Sequence, residues 1–339
     1  MKVNILYNFK KGAWGGGNQF LKALKDNLEH KNLYEDNPKY ADLFLVNCDK
    51  KTFLDYYLKA YTLRKKGCPV FLRIDGPVFF RVKNKFIDSA IIHFANITNC
   101  NCIFQSYWTR NEMNNVKLCK NSNTVIYNAP NPKIFSPDKE NNDSKKIKII
   151  ATSWSGNYYS KGFDIYEYLD NKLDFQKYEM TFVGNSPLKF NNIKHIKALD
   201  SINLSRELKK NDIFITASID DSCSNSLIEA ICSGLPAVVK NSGGHPELIQ
   251  KGGEVFDSSD DVIEKLEKVS SQRNEYKDNL PIFKIESASN DYYHFMINNK
   301  NNKEVETYKF IFFAIQIEIY KIYTKIKGYV TKLFNYWHR

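Results

Sequence analysis

Ile213-Phe214-Ile215-Thr216-Ala217, then Asp220-Asp221-Ser222-Cys223-Ser224-Asn225-Ser226-Leu227-Ile228-Glu229-Ala230, then Ala237-Val238-Val239-Lys240. The first and last runs are short, apolar and β-branched, which reads as two strands buried on both faces. Between them a polar loop opens a helix expected over Ser226–Ser233. A strand, a crossover helix and a strand make a parallel βαβ unit. In such units ligands bind beyond the carboxyl ends of the strands, where this loop of acids and hydroxyls lies.

Working outward, the same alternation repeats in both directions. Upstream come strands at Lys148–Ala151 and Glu179–Gly184, with helices at Gly162–Leu169 and Leu204–Lys209. Further upstream an earlier series runs through Val3–Tyr7, Ala41–Asn47, Val70–Ile74, Cys102–Gln105 and Thr124–Tyr127. Its helices are expected near Asn18–Leu28, Phe53–Lys66, Lys83–Ala95 and from Trp108. Between the two series, Asn131–Lys146 carries Pro132, Pro137 and a polar run without apolar periodicity, and reads as a linker. The fold class is therefore α/β, with two Rossmann-like doubly wound domains facing a central cleft. The expected domains are 1–138, 139–290 and a helical tail at 291–339. Ile285–Asn302 is ambiguous. In the tail, Ile319, Ile322, Ile326, Val330, Leu333 and Trp337 recur at helical spacing, with Lys321, Lys325 and Lys332 on a separate stripe.

Composition narrows the function classes. The 339 residues are 42% hydrophobic and 26% charged, an ordinary globular balance, and the formal net charge is +11. From Lys300 to Arg339 there are eight Lys/Arg and three Glu, so the tail supplies nearly half the excess. The remainder is mildly basic and carries no zinc-finger or RNA-binding signature, which argues against nucleic acid as a partner. Seven cysteines without a C-x-x-C pattern argue against a disulfide framework and for a reducing compartment. Met1–Tyr7 runs directly into a strand pattern, and no stretch reaches the ~20 apolar residues of a spanning helix. Cytoplasmic placement is expected, with peripheral attachment at the inner face of a membrane as an option. No metal site is expected.

Two loops carry the chemistry. Gly15, Gly16 and Gly17 follow the first strand, where glycines let the backbone approach a ligand closely. In the second domain, amides and hydroxyls at Ser224, Asn225 and Ser226 open a helix and suit a diphosphate. Glu229 lies one turn inside that helix, placed to accept hydrogen bonds from vicinal hydroxyls, and Asp221 stands on the loop before it. A capped, solvated helix start has the same local pattern, and spacing alone does not separate the two.

The order of motifs resembles the retaining nucleotide-sugar glycosyltransferases of family 4, whose fold is GT-B. Their mark is a Glu-x7-Glu pair and a small-Gly-x-Pro turn. Asp221, Glu229 and Ser233-Gly234-Leu235-Pro236 stand at those positions, with Asp in place of the first Glu. Val125–Asn131 with Phe135-Ser136-Pro137, Lys161-Gly162, Phe182-Val183-Gly184 and Gly243-Gly244-His245-Pro246-Glu247 match in the same order, over most of residues 1–255. The arginine that usually precedes the lysine is absent, Gly156 standing there.

The resemblance implies transfer from a nucleoside-diphosphate sugar, such as a UDP- or GDP-sugar, with retention, to a glycan, lipid-linked or other acceptor. Catalytic roles fall on Asp221, Lys161 and Glu229, and donor contacts on Gly16, Gly17, Lys161, Gly184, Ser224, Asn225, Ser226 and Glu229. Asp75 and His93 are the acceptor-side candidates. No cofactor or metal is implied, and the tail suits an anionic membrane surface or packing on the first domain. A GT-B sugar-nucleotide epimerase, or a glycosyltransferase-like binding protein without catalysis, remain alternative readings.

Overall fold

A computed structural model describes residues 1–10, 16–137, 145–300 and 305–337. Gly15 and most of the polar run after Pro137 lie outside them.

The first domain runs β1 (Val3–Leu6), α1 (Gly16–His30), β2 (Leu43–Cys48), α2 (Lys50–Lys65), β3 (Val70–Ile74), α3 (Phe79–Val82), α4 (Phe86–Thr98), β4 (Asn101–Phe104), α5 (Tyr107–Val116) and β5 (Asn123–Val125). The five strands are parallel, in the order β1-β2-β3-β4-β5. A short edge segment pairs on the outer side of β1. The Val3 amide donates to Leu33 O at 2.8 Å and the Glu35 amide to Val3 O at 3.0 Å. The chain thus leaves β1 in one direction through α1 and returns to its other side through β2. That reversal beside β1 makes the sheet doubly wound and opens a crevice at its carboxyl end.

Both faces of this sheet are covered. In β2, Phe44, Val46 and Cys48 join the core beneath α2 and α4, while Leu43 and Leu45 join the core beneath α1. Period-2 alternation with two buried faces explains why the strand reads as a continuous apolar run.

The second domain runs β6 (Ile147–Ser153), α6 (Phe163–Lys172), β7 (Tyr178–Gly184), β8 (Lys194–Ile196), α7 (Ser201–Lys209), β9 (Ile213–Thr216), α8 (Asn225–Cys232), β10 (Ala237–Lys240), α9 (His245–Ile249), β11 (Gly253–Phe256), α10 (Val262–Ser271) and α11 (Arg273–Asp278). Its parallel order is β11-β10-β9-β6-β7-β8. The switch point lies between β6 and β9, so the loops after these two strands face each other across one crevice.

Two expectations change. The helix expected over Lys83–Ala95 starts later, as α4 at Phe86, and a separate short helix, α3, precedes it and ends where Lys83 takes a left-handed conformation (φ 52°). The fully buried Asp88 carboxylate holds the corner, accepting from the Val78 and Phe79 amides at 2.9 and 2.8 Å. The ambiguous stretch after residue 284 is a helix, α12 (Ile285–Asn298). Its Ile285, Ala288, Tyr292 and Met296 pack with Phe20 and Leu24 of α1 on the first sheet. The expected boundary at 290 therefore falls inside a helix that belongs, by packing, to the first domain.

The tail forms α13 (Thr307–Trp337). Phe310, Phe313 and Ile317 are buried against α2 and α4, with Phe310 stacked on Tyr61 and Tyr320 on Phe86. No described helix is long and apolar enough to cross a membrane.

Candidate active site

The loop after β6 is shaped by Gly162. Its φ of 65° is left-handed, and a Cβ there would overlap the Ala217 carbonyl at the end of β9. Glycine is what lets the two loops at the switch point touch. This contact aims Lys161 across the crevice, where its Nζ lies 3.4 Å from Asp221 Oδ2. Both side chains are about three-quarters buried, at 25% and 24% exposure.

Asp221 is held by its backbone. Asp220 before it is left-handed (φ 54°), and its amide donates to Ser242 Oγ at 2.9 Å. The Gly244 amide donates to Asp221 O at 2.8 Å, and a Cβ on Gly243 would strike the Asp221 backbone. The glycine pair after β10 is therefore a brace for the acidic loop.

Helix α8 begins at Ser224, whose Oγ accepts from the Leu227 amide at 3.4 Å and lies 3.1 Å from Ser226 Oγ. Asn225 and Glu229 are four residues apart and share one face of this helix. Glu229 is 9% exposed, and its burial pushes the carboxyl from the ordinary 4.5 up to about 8. Gly184 ends β7 with φ 135°, close enough to β6 that a Cβ would overlap the Ser153 carbonyl. Its own carbonyl lies 2.8 Å from His195 Nε2.

The first domain meets α8 through a chain of buried polar groups. Arg73, at the carboxyl end of β3, is fully buried over the Phe20 ring. It donates to Asn47 Oδ1 at 2.5 Å, Asp75 Oδ1 at 2.8 Å and Asn128 Oδ1 at 2.9 Å. Gln105 donates to Asp75 Oδ1 at 2.8 Å and accepts from Asn128 Nδ2 at 2.8 Å. Asn128 Nδ2 then donates to Asn225 Oδ1 at 3.1 Å, crossing between domains. A buried network of this kind fixes its members' geometry because every unmade bond is costly. Gly16 packs so closely on the Asn225 side chain that a Cβ would overlap it, and a Cβ on Gly17 would lie 3.6 Å from Asp75 Oδ1.

A second clamp lies behind the first. Glu247, at the start of α9, accepts from the Tyr107 and Trp108 amides at 2.9 Å each and from Tyr127 Oη at 2.9 Å. A carboxylate of one domain thus caps the N-terminus of α5 in the other, where helix amides lack partners and the dipole favours negative charge.

The resulting cleft, about 360 Å³, is lined by Gly16, Lys161, Gly184, Asp221, Asn225, Ser226 and Glu229, together with Trp154 and Gln19. An open pocket of about 590 Å³ adjoins on the first-domain side, lined by Asp49, Lys50, Lys51 and Asp75. The structure thus brings Gly16, Lys161, Gly184, Asp221, Asn225, Ser226 and Glu229 into one cleft, while Ser224 is buried at the helix cap and Gly17 stands against Asp75 instead of lining the cleft. It does not bring His93 there. That residue lies on α4 with its ring 5.8 Å from Phe313 of α13, and burial there lowers its pKa from the usual 6.5. An amphipathic helix shows which of its residues are polar, not which sheet face it covers. Sequence reasoning did not single out Arg73, Gln105, Asn128 or Glu247 as site residues. For Arg73, Gln105 and Asn128 the signal is weak, polar residues at strand ends or just after them, whereas Glu247 closes the Gly243–Glu247 motif inside α9. Among the described residues, no cluster of His, Cys, Asp or Glu is disposed to hold a metal ion.

Comparison with known proteins bears on this geometry. No curated protein matches in sequence. Residues 171–280 match the family described as glycosyl transferases group 1. Among solved structures, sucrose-phosphate synthase from Thermosynechococcus elongatus superimposes with a TM-score of 0.69 at 9% identity, over 88% of this chain and 98% of that one. Anabaena HepE, in complex with UDP and glucose, gives 0.68 at 13% identity, over 87% and 99%. TarM gives 0.60 at 16% identity, over 75% of this chain and 54% of that one. With two doubly wound sheets facing one cleft, this chain has the GT-B fold, and its segment 171–280, which carries Asp221 and Glu229, is similar to the glycosyl transferases group 1.

Proposed function

We propose that this protein transfers a sugar from a nucleoside-diphosphate sugar to a hydroxyl acceptor, with retention at the anomeric carbon. The acceptor is a glycan or lipid-linked saccharide, and the setting is cytoplasmic synthesis of a surface polysaccharide or glycoconjugate. The observation that carries the reading is the single cleft uniting Lys161, Asp221, the α8 N-terminus and Glu229. HepE, similar in fold, has been solved with UDP-glucose, which supports a nucleotide-sugar donor.

In this reading the diphosphate lies between Lys161 and the amides at the start of α8. They offset the charge that develops as the bond from C1 to the phosphate oxygen breaks. The proposal gives this task to Lys161 and the helix dipole in place of a metal ion. Glu229 accepts hydrogen bonds from the donor ribose, and Asp221 orients the transferred sugar. The acceptor hydroxyl attacks C1 on the face that the leaving group vacates, and its proton passes to the departing phosphate oxygen. This reading gives Asp75, held by Arg73 and Gln105, the task of orienting that hydroxyl.

Incubation with a panel of UDP-, GDP- and ADP-sugars tests this, with the anomeric configuration of the product read by NMR. Transfer or donor hydrolysis that is lost in Glu229→Ala is expected. Conversion of the donor into an epimeric sugar nucleotide favours the epimerase. Donor binding without turnover of any sugar favours the binding protein.

A further inference from the structure

Helix α13 has two apolar faces, and only one is used. Phe310, Phe313, Ile317 and Tyr320, at spacings of three and four, dock on α2 and α4. On the opposite side of the same helix, Ile311, Phe312, Ile315, Ile319, Ile322 and Ile326 recur at the same spacings, and each is more than half exposed. With Tyr308 and Tyr329 at its ends, this stripe spans 22 residues, about 33 Å at the helical rise.

We infer that this outward face of α13 rests on an anionic lipid bilayer, with the helix lying in the plane of the interface between the first domain and the membrane. Two observations select that occupant. Charge lines both edges of the stripe: helical spacing sets Lys309 and Lys327 along one flank and Lys321 and Lys325 along the other. Such stems reach past apolar surface and place their ammonium groups at the headgroup level. The single acidic residue of α13, Glu318, lies on the Lys321 flank and is engaged within the protein, accepting from Tyr57 Oη at 2.7 Å and from Lys321 Nζ at 2.8 Å. Lys309, Lys321, Lys325 and Lys327 outnumber Glu306 and Glu318 along these edges, and anionic headgroups complement that net positive charge better than a second copy carrying the same excess.

The docking is independent of the catalytic reading. Where the two meet is at Tyr320, whose ring lies 5.8 Å from Lys50 Nζ at the rim of the Asp75 pocket. The proposed acceptor side thus opens next to the membrane-facing helix.

Co-sedimentation of the full chain tests the inference, using vesicles of phosphatidylcholine alone and of phosphatidylcholine mixed with phosphatidylglycerol. Binding to the mixed vesicles that weakens with salt is expected. The variant carrying Ile315→Glu, Ile319→Glu and Ile322→Glu changes only exposed side chains. It should melt like the parent and hydrolyse donor in solution as the parent does, while its partition falls at least about tenfold. Lys325→Ala and Lys327→Ala should each weaken binding to the mixed vesicles about fivefold, the effect of about 1 kcal/mol per lysine near an anionic surface. The inference is overturned if the parent pellets equally with and without phosphatidylglycerol. It is overturned equally if light scattering shows a lipid-free dimer that the triple variant abolishes while vesicles bind neither protein. Loss of donor turnover with vesicle binding intact would count against the proposed function and leave the docking standing.

Discussion

Affinity for the donor should rise steeply with pH between 6 and 8, and Glu229 is the reason. Burial lifts its carboxyl to about 8. A protonated carboxyl cannot accept two vicinal hydroxyl bonds as a carboxylate does. Binding in the proposed mode therefore selects the ionised form, and apparent affinity scales with its fraction. With a value of about 8, that fraction is about one in a hundred at pH 6, one in eleven at pH 7 and a half at pH 8. The dissociation constant for UDP-glucose should fall about tenfold over the first unit and about fivefold over the second. UDP-glucose suits the assay because its diphosphate does not titrate in this range. Calorimetry at pH 7 in two buffers of unlike ionisation heat should show about 0.9 proton released per donor bound. Glu229→Gln, equal in shape and unable to ionise, should bind weakly with no slope. A flat affinity from pH 6 to 8, or the same slope in the Gln variant, would refute the assignment of Glu229 to the donor. The free protein should respond in the opposite sense. The folded state holds this proton up to about 8 and the unfolded chain only to about 4.5, so stability is complete below 4.5. It then falls by up to about 1.4 kcal/mol per unit as pH rises through 8.

Three other outcomes follow from the geometry. Lys161→Ala removes the cation nearest the proposed diphosphate and should lower kcat about 10²- to 10³-fold, measured as UDP release, with the fold unchanged by circular dichroism. Gly162→Ala combines a left-handed φ with overlap against Ala217, and should cost more than about 1 kcal/mol in urea unfolding; an unchanged midpoint would mean the loop adjusts freely. Glu247→Ala strips the cap from α5 and should widen the angle between domains, read as a larger radius of gyration by small-angle scattering, with a stability loss of about 1–2 kcal/mol.

How much of this was legible in the sequence depends on how local each feature is. Val70–Ile74 and Ala237–Lys240 are strands as expected, because burial on both faces turns a strand into an unbroken apolar run. Lys194–Ile196 was not foreseen, since an edge strand of three residues with exposed Lys194 and His195 leaves no such run. Asp221, Ser224 and Glu229 could be placed from one loop and one helical turn. The Asn128–Asn225 bond joins residues 97 apart and the Tyr107–Glu247 bond residues 140 apart, and no periodicity encodes either. Two alternatives for the tail, packing on the first domain and facing a membrane, looked exclusive in one dimension. In the fold the docked apolar face and the exposed one, to which the inference assigns the bilayer, lie on opposite sides of α13 and exclude neither alternative.

The return of α12 to the first sheet makes the second domain an insertion. A ribosome therefore releases residues 145–284 as a complete sheet with its own helices while the first sheet still lacks Tyr292, Met296, Phe310 and Phe313. The half that emerges first is the last to be finished, the reverse of the usual order for tandem domains. Nascent chains stalled near residue 330, with the tail still inside the ribosome, should resist protease over the second domain and be cut in the first. Equal resistance in both halves would mean that the first sheet stands without the two helices that close it.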